Sequence, residues 1–215
     1  RYLPEFRLSD ADLSSRITPR DLVSHRTGLP RHDFLWYMSR ESRMGLFSQL
    51  AHLPFSRDLR AEYQYNNLMF MVAGVLVERI AGMTWEEFVR REIFEPLGMK
   101  RSNFSVEDLR DEPNVALPHT KSAEVVRRIP FCNLDAVGPC GSINSCVSDL
   151  EHWLRFHLTK GEINGRRLLS AASLAETYRP HAIVPPAASW FSEFAEFGPG
   201  MYGLGWMVRA YRGHR

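Results

Sequence analysis

The chain has 215 residues, 44% of them hydrophobic and 24% charged, which is enough apolar material for a sizeable core. Its 27 Lys+Arg balance 25 Asp+Glu to a net charge of +2, and the arginines are scattered, so it lacks the electrostatic footprint of a nucleic-acid binder. No apolar run approaches the roughly 20 residues of a membrane span; the longest, 68–76, gives way at once to Glu78 and Arg79.

The chain opens on Arg1 rather than Met, so the lack of a signal peptide leaves its compartment undecided. After an extended lead-in comes ITPRDLVSHRTGLP, 17–30. Thr18 is a good N-cap, Pro19 suits the first helical position and Asp21 sits three past the cap. This pattern predicts a short helix ended by Gly28 and Pro30, with His25 in its last turn, where a cation or a donor to free carbonyls is favoured. His25 has no acidic or thiol neighbour in sequence and reads as structural. Residues 41–53 read as a helix closed by Pro54, and the aromatics around it read as packing.

The stretch 63–82, YQYNNLMFMVAGVLVERIAG, is the most informative. Leu68, Met71, Val72, Val75, Leu76 and Ile80 fall on one face of a helix, and Gly82 marks its C-terminal stop. Tyr65, Asn66 and Asn67 form a polar head at its N-terminal mouth, where either asparagine can cap free backbone N–H groups. By itself this head is an N-cap beside a packing aromatic, and a Tyr-x-Asn catalytic motif is the reading that the flanks must support.

Thr84 to Glu87 is a capping box whose helix should end before Pro96. Residues 97–99 then turn the chain, and 124–129 is β-branched enough for a short strand. The loop 138–145, GPCGSINS, should feed a helix capped by Ser145 or Ser148, with Leu150, Trp153, Leu154, His157 and Leu158 as its apolar stripe. That loop lacks the glycines and the lysine of a phosphate loop. Asn164-Gly165 is a tight turn, and Ser170 caps another short helix. Residues 179–200 read as a long ordered loop whose Trp190, Phe191, Phe194 and Phe197 either wall an apolar acyl pocket or pack between lobes. Residues 201–211, MYGLGWMVRAY, read as one strand. Cys132, Cys140 and Cys146 are a poor disulfide framework and read as free thiols, with a Cys140–Cys146 pair as the alternative. Nothing in the cysteine and histidine spacing supports a metal or redox site, and no cofactor is implied.

In order along nearly the whole chain, these landmarks resemble the serine β-lactamase and penicillin-binding-protein-like hydrolases, in the branch of class C β-lactamases, D-alanyl-D-alanine peptidases and related esterases. The pieces are ITPRDLVSHRTGLP, YNN with its following helix and PLGM turn, PCGSINSCVSDLEHWLRFHL, and YGLGWMV. The resemblance implies an α+β fold that is mostly helical here: a helical lobe over 1–198 and, over 199–215, only the start of an antiparallel sheet lobe. It implies acyl transfer through a covalent acyl-serine on a small-molecule or peptide substrate, with Tyr65 as a proton carrier and Asn67 as an orienting amide. It says nothing of oligomeric state.

The family's other two motifs do not occur. Lys100, Lys121 and Lys160 are preceded at the third position by Leu97, Pro118 and His157, so Ser-x-x-Lys is missing, as are Lys-Thr-Gly and His-x-Gly. The expectation is that the first lies upstream of Arg1 and the last downstream of Arg215. The chain would then be inactive alone and prone to aggregate through an uncovered strand edge and apolar helix faces. The alternative is a pseudoenzyme kept for binding or assembly.

Overall fold

The computed structural model describes residues 2–188 and 194–214. Chain order begins with α1 (Ala11–Arg16), α2 (Pro19–Leu22), α3 (Arg43–Gln49) and α4 (Asn67–Ala81). Next come α5 (Trp85–Val89), α6 (Glu95–Leu97), β1 (His119–Ser122), β2 (Val125–Arg128), α7 (Val147–Leu158), β3 (Glu162–Ile163) and β4 (Arg166–Arg167). It ends with α8 (Ala171–Thr177), β5 (Ala182–Val184), β6 (Gly200–Tyr202) and β7 (Met207–Val208). The architecture is α+β, mostly helical, with three small antiparallel sheets. No single helix among the described residues is long and apolar enough to cross a membrane.

The central helix is α4. Asn66 caps it by accepting the Met69 N–H at 3.0 Å, and Gly82 ends it in the left-handed region at φ 69°. Leu68, Met71, Val72 and Val75 are buried in the main core with Leu22, Leu29 and Leu46, whereas Ile80 at the far end is exposed. Apolar burial of this kind stabilises by about 1.5–3 kcal/mol per large side chain as an upper estimate. A second core joins α5, α6 and α7 through Val89, Phe94, Leu97 and Phe156. A small third cluster, Tyr63, Val184 and Tyr202, ties the sheet to the segment preceding α4.

Several local expectations need correction. The Thr18–Asp21 capping box forms, but α2 stops at Leu22, because the chain turns through a left-handed His25 at φ 57° long before Gly28. His25 therefore lies outside the helix. The helix that begins at Thr84 runs past Pro96 to Leu97. A π-helical turn, Arg90–Phe94, widens it just where a proline would otherwise clash with the carbonyl of the preceding turn. Neither Ser145 nor Ser148 caps α7; its N-cap position is Cys146, which makes no side-chain capping bond. Leu150, Leu154 and Leu158 face solvent. Trp153 of the expected stripe does pack against the second core, beside Phe156. The buried side also carries Asp149, turned inward because it accepts both the Arg101 N–H and the Ser102 hydroxyl at 2.8 Å.

The strand expected near 124–129 is present as β2, but its partner β1 makes it half of an exposed hairpin. Asn164 and Gly165 do form a tight hairpin turn between β3 and β4, both at positive φ. Residues 201–211 are two strands, not one. Gly203–Gly205 turn the chain back, and β6 pairs with β5 on one side and β7 on the other. The stretch 179–200 is thus not wholly loop, since it contains β5. Cys132, Cys140 and Cys146 are all free thiols.

Candidate active site

Tyr65 stands immediately before the α4 cap, so the buried helix fixes its backbone while its side chain projects at the helix mouth. It is 37% exposed and lines a cleft of about 810 Å³. Pro30 and Arg31 form one wall, Ala187 and Ala188 another, and Tyr202 and Met207 of the sheet, with Arg209 just past β7, a third. The phenol is therefore not sealed in the interior. Its ring lies 4.4 Å, centroid to centroid, from the His25 imidazole, and the Arg31 guanidinium sits 4.9 Å from its centre.

The electrostatics of Tyr65 favour the neutral phenol. Burial raises its pKa, the Cys140 thiol and the Asp33 carboxylate raise it further, and Arg31 opposes them. Tyr63, behind it, is pushed up to about 12, chiefly by burial. Burial also drives Cys140 up to about 12, with the Asp33 charge adding to it, so its thiol stays protonated and is a poor nucleophile at neutral pH.

The two asparagines have separate duties. Asn66 is fully buried; besides capping α4, its amide donates to the carbonyls of Leu29 at 3.2 Å and Pro30 at 2.5 Å. It ties the Arg31 turn to the helix. Asn67, 8% exposed, is not among the residues lining the Tyr65 cleft; it donates from Nδ2 to Asp33 Oδ1 at 3.4 Å. The other carboxylate oxygen of Asp33 accepts Arg31 Nε at 2.6 Å. Asp33 thus links Asn67 to the guanidinium that sits on Tyr65.

Sequence reasoning singled out Tyr65 and Asn67 and missed Arg31, Asp33 and Cys140 around them. The one local signal is Arg31-His32-Asp33, a cation and an anion two positions apart directly after Pro30. Of the loop aromatics, Phe197 packs on Phe194 and Tyr211, and neither phenylalanine lines the Tyr65 cleft. Trp190 and Phe191 lie outside the described residues. Among the described residues no cluster of His, Cys, Asp or Glu has the makings of a metal site.

A family model described as Beta-lactamase matches residues 1–215. Among characterised proteins, the chain is 28% identical to an unguisins hydrolase of Aspergillus campestris, over 97% of this chain and 39% of that protein. It is 29% identical to penicillin-binding protein 4 of Amycolatopsis lactamdurans, over 80% and 46%. Among solved structures, the octameric penicillin-binding protein homologue from Pyrococcus abyssi matches with a TM-score of 0.76 at 20% identity, over 94% of this chain and 45% of that one. A D-stereospecific amidohydrolase from Streptomyces matches at 0.72 and 24%, over 96% and 61%. The structural likenesses show the fold. The chain spans about two-fifths of the length of the unguisins hydrolase.

Proposed function

The chain belongs to the β-lactamase family, and we propose that it supplies the Tyr-x-Asn part of a serine hydrolase acting through an acyl-serine. The observation that carries this reading is the place of Tyr65: a phenol at the tip of a buried helix, open to a cleft walled by the first strands of a sheet. Pro30, Arg31 and Tyr65 from the helical part and Tyr202 and Met207 from the sheet line that cleft.

A serine hydroxyl is a weak nucleophile and needs a base. Tyr65 alone is a poor one, since its pKa is raised above an already high value near 10. A lysine ammonium beside it would stabilise the phenolate and reverse that shift. No Ser-x-x-Lys occurs among the 215 residues, so the reading places the serine and its lysine in the rest of the protein. Tyr65 then exchanges a proton with that pair and passes it to the leaving group. Asn67, held by Asp33, presents its amide to the lysine and to a substrate amide. Backbone N–H groups at the nucleophile and on the sheet side would bind the developing oxyanion.

The relatives, among them an unguisins hydrolase, penicillin-binding proteins and a D-stereospecific amidohydrolase, favour amide, β-lactam or ester substrates. With one motif of three, the 215-residue chain by itself should turn over none of them. The test is intact-protein mass spectrometry of the whole protein treated with a penicillin, a D-amino-acid amide and a p-nitrophenyl ester. One acyl adduct, lost when the serine of Ser-x-x-Lys becomes alanine, is expected. No adduct and no turnover with any of the three would overturn the reading.

A further inference from the structure

We propose that His25 is the positioning residue for Tyr65, a neutral imidazole that clamps the backbone on either side of the tyrosine and carries the phenol ring against its own. The proposal rests on the reading of Tyr65 as a proton carrier.

The clamp is geometric. The His25 carbonyl accepts the Gln64 N–H at 2.8 Å, and its Nδ1 accepts the Asn66 N–H at 3.0 Å. One residue, distant in sequence, thus holds both neighbours of Tyr65. The left-handed backbone of His25, φ 57°, is a strained conformation for a residue with a side chain. The ring then meets Tyr65 at 4.4 Å, Tyr202 at 4.6 Å, Phe70 at 5.1 Å and Tyr63 at 5.5 Å, centroid to centroid. Tyr65 is therefore seated on a ring that is itself packed from three other sides. Tyr65 also lines the cleft.

Simple filling of space does not explain a histidine here. The residue is 1% exposed, and its Nε2 is buried without a hydrogen-bond partner among the described residues. A phenylalanine or leucine would fill the same volume without stranding a polar atom. What histidine adds is an acceptor at Nδ1. Because Nδ1 accepts, the neutral ring carries its proton on Nε2. A second proton would set an N–H against the Asn66 N–H and open the clamp. Burial, helped by the Arg31 charge, drives the pKa down to about 3, so the clamp stays shut at working pH. The groups facing this ring with titratable protons are the phenols of Tyr63, Tyr65 and Tyr202, and Arg31 is the nearby fixed charge.

The experiment uses the whole protein and two variants. His25→Phe keeps a ring and removes the acceptor; His25→Asn places an amide oxygen where Nδ1 was and tolerates the left-handed backbone. His25→Phe should lower kcat roughly 10–100-fold, as expected for a slightly misplaced reacting group, with KM changed far less. It should also move the pH dependence of kcat assigned to Tyr65, and His25→Asn should recover most of the rate. Equal kcat for wild type and a folded His25→Phe would overturn the proposal, and so would a His25→Asn variant slower than His25→Phe. If His25→Phe does not fold, nitrogen-15 NMR of the unmutated histidine decides. A neutral Nε2–H tautomer persisting to about pH 4 is expected, and titration near 6.5 or an Nδ1–H tautomer would overturn it. A Tyr65→Phe variant separates the two claims. Full rate in Tyr65→Phe removes the catalytic reading itself; a slow Tyr65→Phe with a normal His25→Phe removes only this inference.

Discussion

Gly74 of α4 and Pro139 approach so closely that a methyl group on Gly74 would stand 2.1 Å from Pro139 Cγ and 2.7 Å from its Cβ. This contact seats the turn Asp135–Cys140 on the helix and puts the Cys140 thiol near Tyr65. Gly74→Ala has nowhere to place its methyl without moving that turn. Overpacking of this kind costs about 1–3 kcal/mol, a Tm drop of roughly 3–10 °C for a chain this size. Differential scanning fluorimetry measures it, and an unchanged Tm would mean that the turn yields freely.

The asparagine pair offers a separation of stability from chemistry. Asn66→Ala removes the α4 cap and two buried bonds to the Leu29 and Pro30 carbonyls, and should cost about 2–4 kcal/mol. Asn67→Ala loses one long bond to Asp33 and should change stability by less than about 1 kcal/mol while lowering kcat/KM. Denaturant melts and steady-state rates on both variants check this. A stability loss that is larger for Asn67→Ala would reverse the assignment.

Acid stability should have two limbs. His25 takes up a proton near 6.5 when unfolded but only near 3 when folded, so the native state loses stability as pH falls from about 6.5 toward 3, by at most about 1.4 kcal/mol per pH unit. Asp21 is fully buried. Burial acts to raise its pKa, but Arg60, bonded at 2.9 and 2.8 Å, with Thr18 and Arg26, outweighs burial and holds the carboxyl well below the usual range. Its contribution is complete above pH ~4 and is lost as the pH falls further. Asp21→Asn should cost about 2–3 kcal/mol at pH 7, modest for a buried pair because Arg60 is half solvated, and should flatten the lower limb. Urea melts from pH 2.5 to 7 read both limbs.

What the sequence disclosed and what it hid divide by range. The α4 span with its Gly82 stop, the Thr18 and Thr84 boxes, the Asn164-Gly165 turn and the Ser170 cap all depend on neighbours within a few residues, so their residue types announce them. Tyr65 and Asn67 were legible as a pair only because an ordered set of landmarks surrounds them. The cage beneath Tyr65 was not legible: it gathers His25, Tyr63, Phe70 and Tyr202, and no spacing rule connects position 25 to position 202. The inward face of α7 is hidden from the sequence for a related reason. A buried Asp149, satisfied by Arg101 and Ser102 from another segment, turned the leucines outward against their hydrophobic pattern. Pro96 reads as a stop in the sequence because a π turn leaves no local mark.

The central claim is that the Tyr65 hydroxyl moves a proton. Tyr65→Phe removes one oxygen that makes no hydrogen bond to any described residue and leaves the ring on His25, so the fold should be unaffected. In the whole protein, kcat/KM for an ester or amide substrate should fall about 10²–10⁴-fold, the usual weight of a positioned acid–base group, with Tm unchanged. A phenylalanine variant that hydrolyses at the parent rate would contradict the account.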